Sequence, residues 1–267
     1  DNFDKTLRRA GQIRREIGVP FLGFLPLRKH ATRENLNFVS KIKQSYQISF
    51  SKISIQQPDS LYSETVRSIR NAFDTKPEAK VIGIVSVDDN EGKSIFSENL
   101  SYFLAQSSNC VFIDADMVEP TKIVGSYVQT DGKSIGDVLT GDVTLDDALL
   151  HSSDSNLSIL PSLAPDKQKI QSYLSVKSAK AIIDGCKTNS DYVVVNMPQL
   201  MAPADFYSFA QNVDQIVVVA EWGKSLSNAI NFHLNHNGIK PEQILGMVLE
   251  NADMNRMKKY YGHKAKA

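Results

Sequence analysis

Six apolar runs, at 81–87, 110–114, 157–161, 192–196, 214–220 and 244–249, are each the length of one strand, and the segments between them carry helical spacing. Runs that stay apolar throughout predict strands covered on both faces, and their alternation with helices predicts crossover connections. The expected fold class is α/β: a doubly wound, mostly parallel sheet with helices on both faces. In such a sheet ligands gather beyond the carboxyl ends of the strands, so the loop after 87, the acidic end of the second strand and Asn196 are expected to converge.

The first of these stretches runs Val81-Ile82-Gly83-Ile84-Val85-Ser86-Val87-Asp88-Asp89-Asn90-Glu91-Gly92-Lys93-Ser94 and leads into a predicted helix from Ile95 to Ala105. Strand, polar turn, Gly-Lys-Ser and helix in that order are the layout of a phosphate-binding loop, which makes the predicted architecture P-loop NTPase-like. Backbone N–H groups and the helix N-terminus face an anion there; Lys93 reaches the β- and γ-phosphates, and the Ser94 hydroxyl ligates Mg²⁺. The next strand ends on Asp114 and Asp116, whose i, i+2 spacing projects both carboxylates to one side and suits a single cation. The loop itself is irregular. Val87 stands where the strict pattern has Gly, and Asp88 and Asp89 repel a triphosphate unless they point outward or are offset by metal, while Asn90 can adopt the positive φ that Gly would.

The 267 residues contain no apolar run of ~18 residues, so the chain is predicted soluble and not membrane-crossing by itself. Thirty basic and thirty acidic residues cancel, leaving no global field to recruit nucleic acid. Cys110 and Cys186 flank core segments and are expected to be free thiols in a reducing cytosol. No signal peptide opens the chain, and its start at Asp1 in charged sequence reads as a cut from something longer. Residues 1–50, with a predicted helix from Asp4 to Ile17 and a polar stretch at 28–46, form a juxtamembrane or packing extension; 51–257 form the nucleotide-binding domain; 258–267 form a basic, polar tail. His233 and His236 share one predicted helix but have no third ligand, and read as surface residues.

Taken together these motifs resemble the cytoplasmic domain of bacterial tyrosine kinases, the polysaccharide co-polymerases that regulate exopolysaccharide chain length and export. The resemblance extends from Ile17-Gly18-Val19-Pro20 and Leu22-Gly23-Phe24-Leu25-Pro26, similar to the family's post-transmembrane segment, to the tyrosines near the end. Val111–Asp116 resembles the second Walker motif and Tyr192–Pro198 the Walker B strand. Ser134–Gly141, Leu160-Pro161-Ser162 and Gly246–Leu249 match further, and Val219–Lys224 suggests the branch of rhizobia-like exopolysaccharide transport proteins. The resemblance implies Mg-ATP bound by Asn90, Glu91, Gly92, Lys93, Ser94, Ile95 and Asn196, with metal at Ser94, Asp114 and Asp116. It implies phosphoryl transfer in which Lys93, Asp114 and Asp116 act, the aspartates assisting deprotonation of an acceptor tyrosine. Acceptors would be Tyr260 and Tyr261, offered to a neighbouring subunit. Glu64, Arg67 and Arg70, at i, i+3 and i+6 of a predicted helix from Ser60 to Phe73, would line a head-to-tail contact in a ring-like homo-oligomer. On spacing alone that trio is a solvated face with intrahelical ion pairs, and the tyrosines are part of an ordinary basic tail packing back on the domain. Implied partners are further copies of the chain, a transmembrane region and the polysaccharide polymerase and export machinery, at the cytoplasmic face of the bacterial inner membrane.

Two departures predict weak or absent transfer. Val118 stands where the second motif usually carries Arg, followed by Glu119, and Asn196 replaces the Walker B carboxylate, so it can orient water on Mg²⁺ without adding charge. The family's Asn at the end of the strand 244–249 is replaced by Glu250, with Asn251 one step later. The alternatives are a scaffold that sets chain length without transfer, with or without nucleotide, and a partitioning or septum-site ATPase. The last predicts a lysine four residues before Gly92, where Asp88 stands.

Overall fold

The computed structural model describes residues 5–26, 52–87, 92–117, 133–152, 155–162 and 171–261, the last four by backbone alone. All six expected strands form, and two more join them. The eight are β1 (Phe21–Pro26), β2 (Val81–Ser86), β3 (Cys110–Asp114), β4 (Leu150–His151), β5 (Leu157–Leu160), β6 (Tyr192–Asn196), β7 (Gln215–Glu221) and β8 (Ile244–Ala252). They make one sheet in the order β1-β8-β7-β2-β6-β3-β5-β4, parallel except for the antiparallel β4–β5 pair at one edge. The predicted doubly wound α/β class is the observed one.

Alternate residues of each central strand enter separate cores on the two faces. Val81 and Val85, Val111 and Ile113, Val193 and Val195, and Ile216 and Val218 face one side, against the helices Val176–Lys187, Pro203–Ala210 and Ser227–His236. Ile82 and Ile84, Phe112, Val194, Val217 and Val219 face the other, against the helices Leu61–Asp74 and Lys93–Leu104. Burial on both faces is why these strands read as continuous apolar runs.

Residues placed in the N-terminal extension are part of this sheet. β1 runs parallel to β8, with Phe21 opposite Met247 and Phe24 opposite Leu249, so the sheet begins before residue 50. The helix expected from Asp4 to Ile17 is shorter. Ala10–Gln12 is α-helical and Ile13–Ile17 a π-turn that ends at Gly18, where φ is +81°. Residues ahead of it are extended, because Thr6 bridges Leu226, Leu7 N–H donates to Ser225 O at 3.0 Å, and the Leu7 side chain is fully buried. At the other end the helix Met254–Tyr261 carries through both tail tyrosines, so a division at 257 cuts a helix. Among the described residues no helix is long and apolar enough to cross a membrane.

Candidate functional site

The sheet topology brings the loop after β2, the end of β3 and the end of β6 together, because β2, β6 and β3 are adjacent strands whose carboxyl ends point the same way. Ile84, Asn196 and Asp114 lie side by side in register across them. The helix α1 (Lys93–Leu104) starts over this edge with Gly92 as its N-cap, at φ +68° and ψ +9°. A side chain at 92 would face both the strain of that left-handed conformation and a collision, since a Cβ built there falls within the Glu250 carboxylate.

Lys93 is 6% exposed and does not reach into solvent. Its Nζ donates to Asp116 Oδ2 at 2.7 Å and also to the Met197 carbonyl. Asp116 is 5% exposed, and lies two residues beyond the end of β3 rather than on it. The expected sharing of one strand face by two carboxylates therefore fails: Asp116 turns to the lysine, and Asp114 has separate partners. Asn196 Nδ2 donates to Asp114 Oδ1 at 2.8 Å and to Ser94 Oγ at 3.3 Å, while Ser162 Oγ donates to Asp114 Oδ2 at 3.0 Å. Ser162 Oγ also stands 3.1 Å from the Asp116 carbonyl, tying the acidic turn together. Asn90, Glu91, Val118 and Glu119 lie outside the described residues.

Three groups in the site carried no function in the sequence reading. Ser162 came only as part of a matching Leu-Pro-Ser. Ser97 Oγ donates to the Lys93 carbonyl at 2.8 Å, closing the first turn of α1. Glu98, 4% exposed on the same helix, has its pKa held well above the ordinary glutamate range by burial first and by the charge of Asp114 second. Its i, i+4 spacing from Ser94 could have flagged it as a group on the same helix face as that hydroxyl.

A hydroxyl, an amide and carboxylates are hard oxygen donors of the kind Mg²⁺ takes, and Asn196 holds Ser94 and Asp114 to a common neighbour. Among the described residues no three His, Cys, Asp or Glu side chains are placed to hold a metal alone.

Away from this edge, Arg67 pairs with Glu64 at 2.6 Å on the exposed side of the helix α2 (Leu61–Asp74). Arg70 turns back to Asp74 at 3.5 Å and lies 6.0 Å over the Phe103 ring. Within the chain these charges form the intrahelical ion pairs that their spacing suggested.

No protein-family model matches the chain. It is 29% identical over 277 residues to the succinoglycan biosynthesis transport protein ExoP of Rhizobium meliloti (strain 1021), covering 96% of this chain and 35% of that one. To the tyrosine-protein kinase Ptk of Acinetobacter johnsonii it is 23% identical, covering 91% of this chain and 33% of the relative. Its relatives are bacterial tyrosine kinases and exopolysaccharide transport proteins. The chain spans about a third of the length of these two relatives. In fold it is similar to the kinase domain of the Escherichia coli tyrosine kinase ETK, with TM-score 0.74, 19% identity, and 92% and 95% of the two chains covered. It is also similar to the septum site-determining protein MinD of Pyrococcus horikoshii, solved with Mg-ADP, at TM-score 0.53, 21% identity, and 68% and 76% coverage. The P-loop NTPase-like architecture is therefore that of its structural neighbours.

Proposed function

We propose that this chain is the Mg-ATP-binding domain of a membrane exopolysaccharide export co-polymerase, with tyrosine autokinase chemistry between subunits. The observation that carries it is the convergence of Lys93, Ser94, Asp114, Asp116 and Asn196 from three neighbouring strand ends onto one buried edge. Mg-ATP, when bound, supplies the phosphoryl group and the metal charge that offsets the carboxylates. The residues supply positioning. Lys93 would hold the phosphates in place of Asp116, Ser94 and Asp114 would hold the metal, and Asn196, which donates to both, keeps those two oxygen donors oriented. Asp116 would be the carboxylate that takes the tyrosine proton. Acceptors are Tyr260 and Tyr261 of a neighbouring copy, and the Glu64, Arg67 and Arg70 face is the contact that presents them. Further partners are the transmembrane region and the polysaccharide polymerase and export machinery, at the cytoplasmic face of the inner membrane.

A second reading, a scaffold that regulates chain length through assembly without transfer, is favoured by the internal satisfaction of Lys93, whose ammonium already has a carboxylate and a carbonyl. The purified chain incubated with Mg-ATP, beside Lys93→Met, separates the two by mass spectrometry of Tyr260 and Tyr261. Phosphate present in the parent and lost in the variant is expected. Tight ATP binding with no phosphotyrosine would transfer the conclusion to the scaffold.

A further inference from the structure

Glu250 stands where a nucleotide-binding edge has least use for an acid. It is 1% exposed, on the last turn-ward residues of β8, and pairs in register with Glu221 of β7. Two residues back, Val248 pairs with Val219, which pairs with Ser86 at the end of β2. Glu250 is therefore level with the loop that follows β2, not with the strand. Strand alternation gives it the same face as Val248, which packs in one core with Phe96 and Leu100 of α1. Its carboxylate consequently points at the start of that helix, and it lies so close over Gly92 that no side chain fits there.

The position is fixed by the backbone around it. Trp222 N–H donates to the Glu250 carbonyl at 2.8 Å, and Asn251 takes a positive φ of 56° immediately after. The neighbouring acid is compensated separately, since Lys224 lies 2.6 Å from Glu221. The N-terminal end of a twelve-residue helix carries partial positive charge and favours an anion. Here an acidic side chain of the chain itself is built into that end, next to the glycine that a phosphate would have to approach.

We propose that Glu250 is an internal competitor for the phosphate groups of the nucleotide: its carboxylate holds the entrance of the phosphate loop at Gly92 and is displaced when the polyphosphate enters. This rests on the nucleotide-binding reading of the site. Glu250 thereby sets affinity for the phosphate part of the ligand and is indifferent to the base. Replacing the carboxyl with an amide of the same shape relieves the competition.

The test is calorimetric titration of the full chain and of Glu250→Gln with Mg-ADP, Mg-GDP and magnesium pyrophosphate, with Glu250→Asn as a second variant should Gln unfold the chain. The expected result is a tightening of tenfold or more, by the same factor for all three ligands. A change in the ADP to GDP ratio with pyrophosphate unaltered would make Glu250 a base-reading residue and overturn the proposal. Equal affinities in parent and variant overturn it too, while leaving the nucleotide site standing. If no ligand binds any of these proteins, the nucleotide-binding reading falls and the competitor with it.

Discussion

The Lys93–Asp116 pair is the part of the site whose energetics can be worked out furthest. Both side chains are 7% exposed, and 2.7 Å separates Nζ from Oδ2. Taking either partner away leaves the other charge buried without its counter-ion, which costs about 3–5 kcal/mol. Unfolding a chain of 267 residues carries an entropy near 0.56 kcal/mol/K, from about 2.1 cal/mol/K per residue, so each single change lowers Tm by about 5–9 °C. Asp116→Ala is expected at the upper end of that range, because among the described residues Lys93 then keeps only the Met197 carbonyl. Lys93→Met removes the cation from a site that also holds Asp114 and Glu98, with the same order of cost. The double variant restores neutrality, so it should be less destabilised than the sum of the singles by ~2 kcal/mol or more, a coupling well outside additive scatter. Urea unfolding of the four proteins, followed by circular dichroism, measures all the terms of the cycle. Singles costing under ~1 kcal/mol with an additive double would mean that the ammonium is solvated and the pair contributes nothing, and the buried-pair reasoning would be wrong. The result also bears on activity: loss of phosphate transfer in Lys93→Met is interpretable only where the variant remains folded at the assay temperature.

Glu98 has a raised folded-state pKa, so its protonated form stabilises the fold: that contribution is complete below the unfolded value near ~4.3 and is lost as pH rises through the folded value. Glu98→Gln should therefore gain on the parent as pH is raised from acid to neutral, and urea melts showing a flat or reversed difference would contradict it. Burial pushes the Cys186 thiol up to about 12 and raises Cys110 as well, so neither should react with a disulfide reagent at pH 8 until denaturant is added. Gly92→Ala should destabilise by about 1–2 kcal/mol from the left-handed backbone alone, with a further loss from the Glu250 collision. Adding Glu250→Ala should recover the second part only, measured by thermal melts. Asn196→Asp puts a carboxylate where an amide donates to Asp114 at 2.8 Å, and should unfold earlier in EDTA but gain more than the parent from millimolar Mg²⁺. An unchanged response to Mg²⁺ would argue that Asp114 is not at a metal position.

The sheet was legible because burial on both faces leaves a continuous apolar run, a signal independent of partners. β1 escaped it: Phe21 to Pro26 contains Gly23 and ends in Pro, and as an edge strand only half buried it reads as a linker. Gly23 is there because a Cβ would collide with the Thr65 side chain on α2, a long-range constraint that no local pattern carries. The expected convergence of Lys93, Ser94, Asp114 and Asn196 at one strand edge follows from the adjacency of β2, β6 and β3. The misplacement of Asp116 came from extending β3 by two residues, and strand ends are the least determined part of any periodicity. Glu250 is far from Gly92 in sequence yet stands over that helix start. Their closeness depends on β8 joining the sheet beside β7, which spacing cannot reveal.

Asn196 in place of an acid and Lys93 turned inward are two sides of one charge balance. The buried groups of this edge include four carboxyl side chains, Asp114, Asp116, Glu98 and Glu250, and one described cation, Lys93. An aspartate at 196 would add a fifth carboxylate within hydrogen-bonding distance of Asp114, a repulsion that falls only where a metal or a proton is present. The amide instead donates to Asp114, burial and the charge of Asp114 raise the Glu98 pKa, and Lys93 neutralises Asp116, so the edge is held together by its own donors. Phosphoryl transfer asks for the opposite: an ammonium free for phosphate and carboxylates free for metal. Each partner exchange must then be repaid by magnesium and phosphate contacts made together, since phosphate without metal meets the acids and metal without phosphate leaves Lys93 with Asp116. Nucleotide and Mg²⁺ are thus expected to bind as one unit, and the distance between kinase and scaffold is the free energy by which that unit outbids the internal contacts.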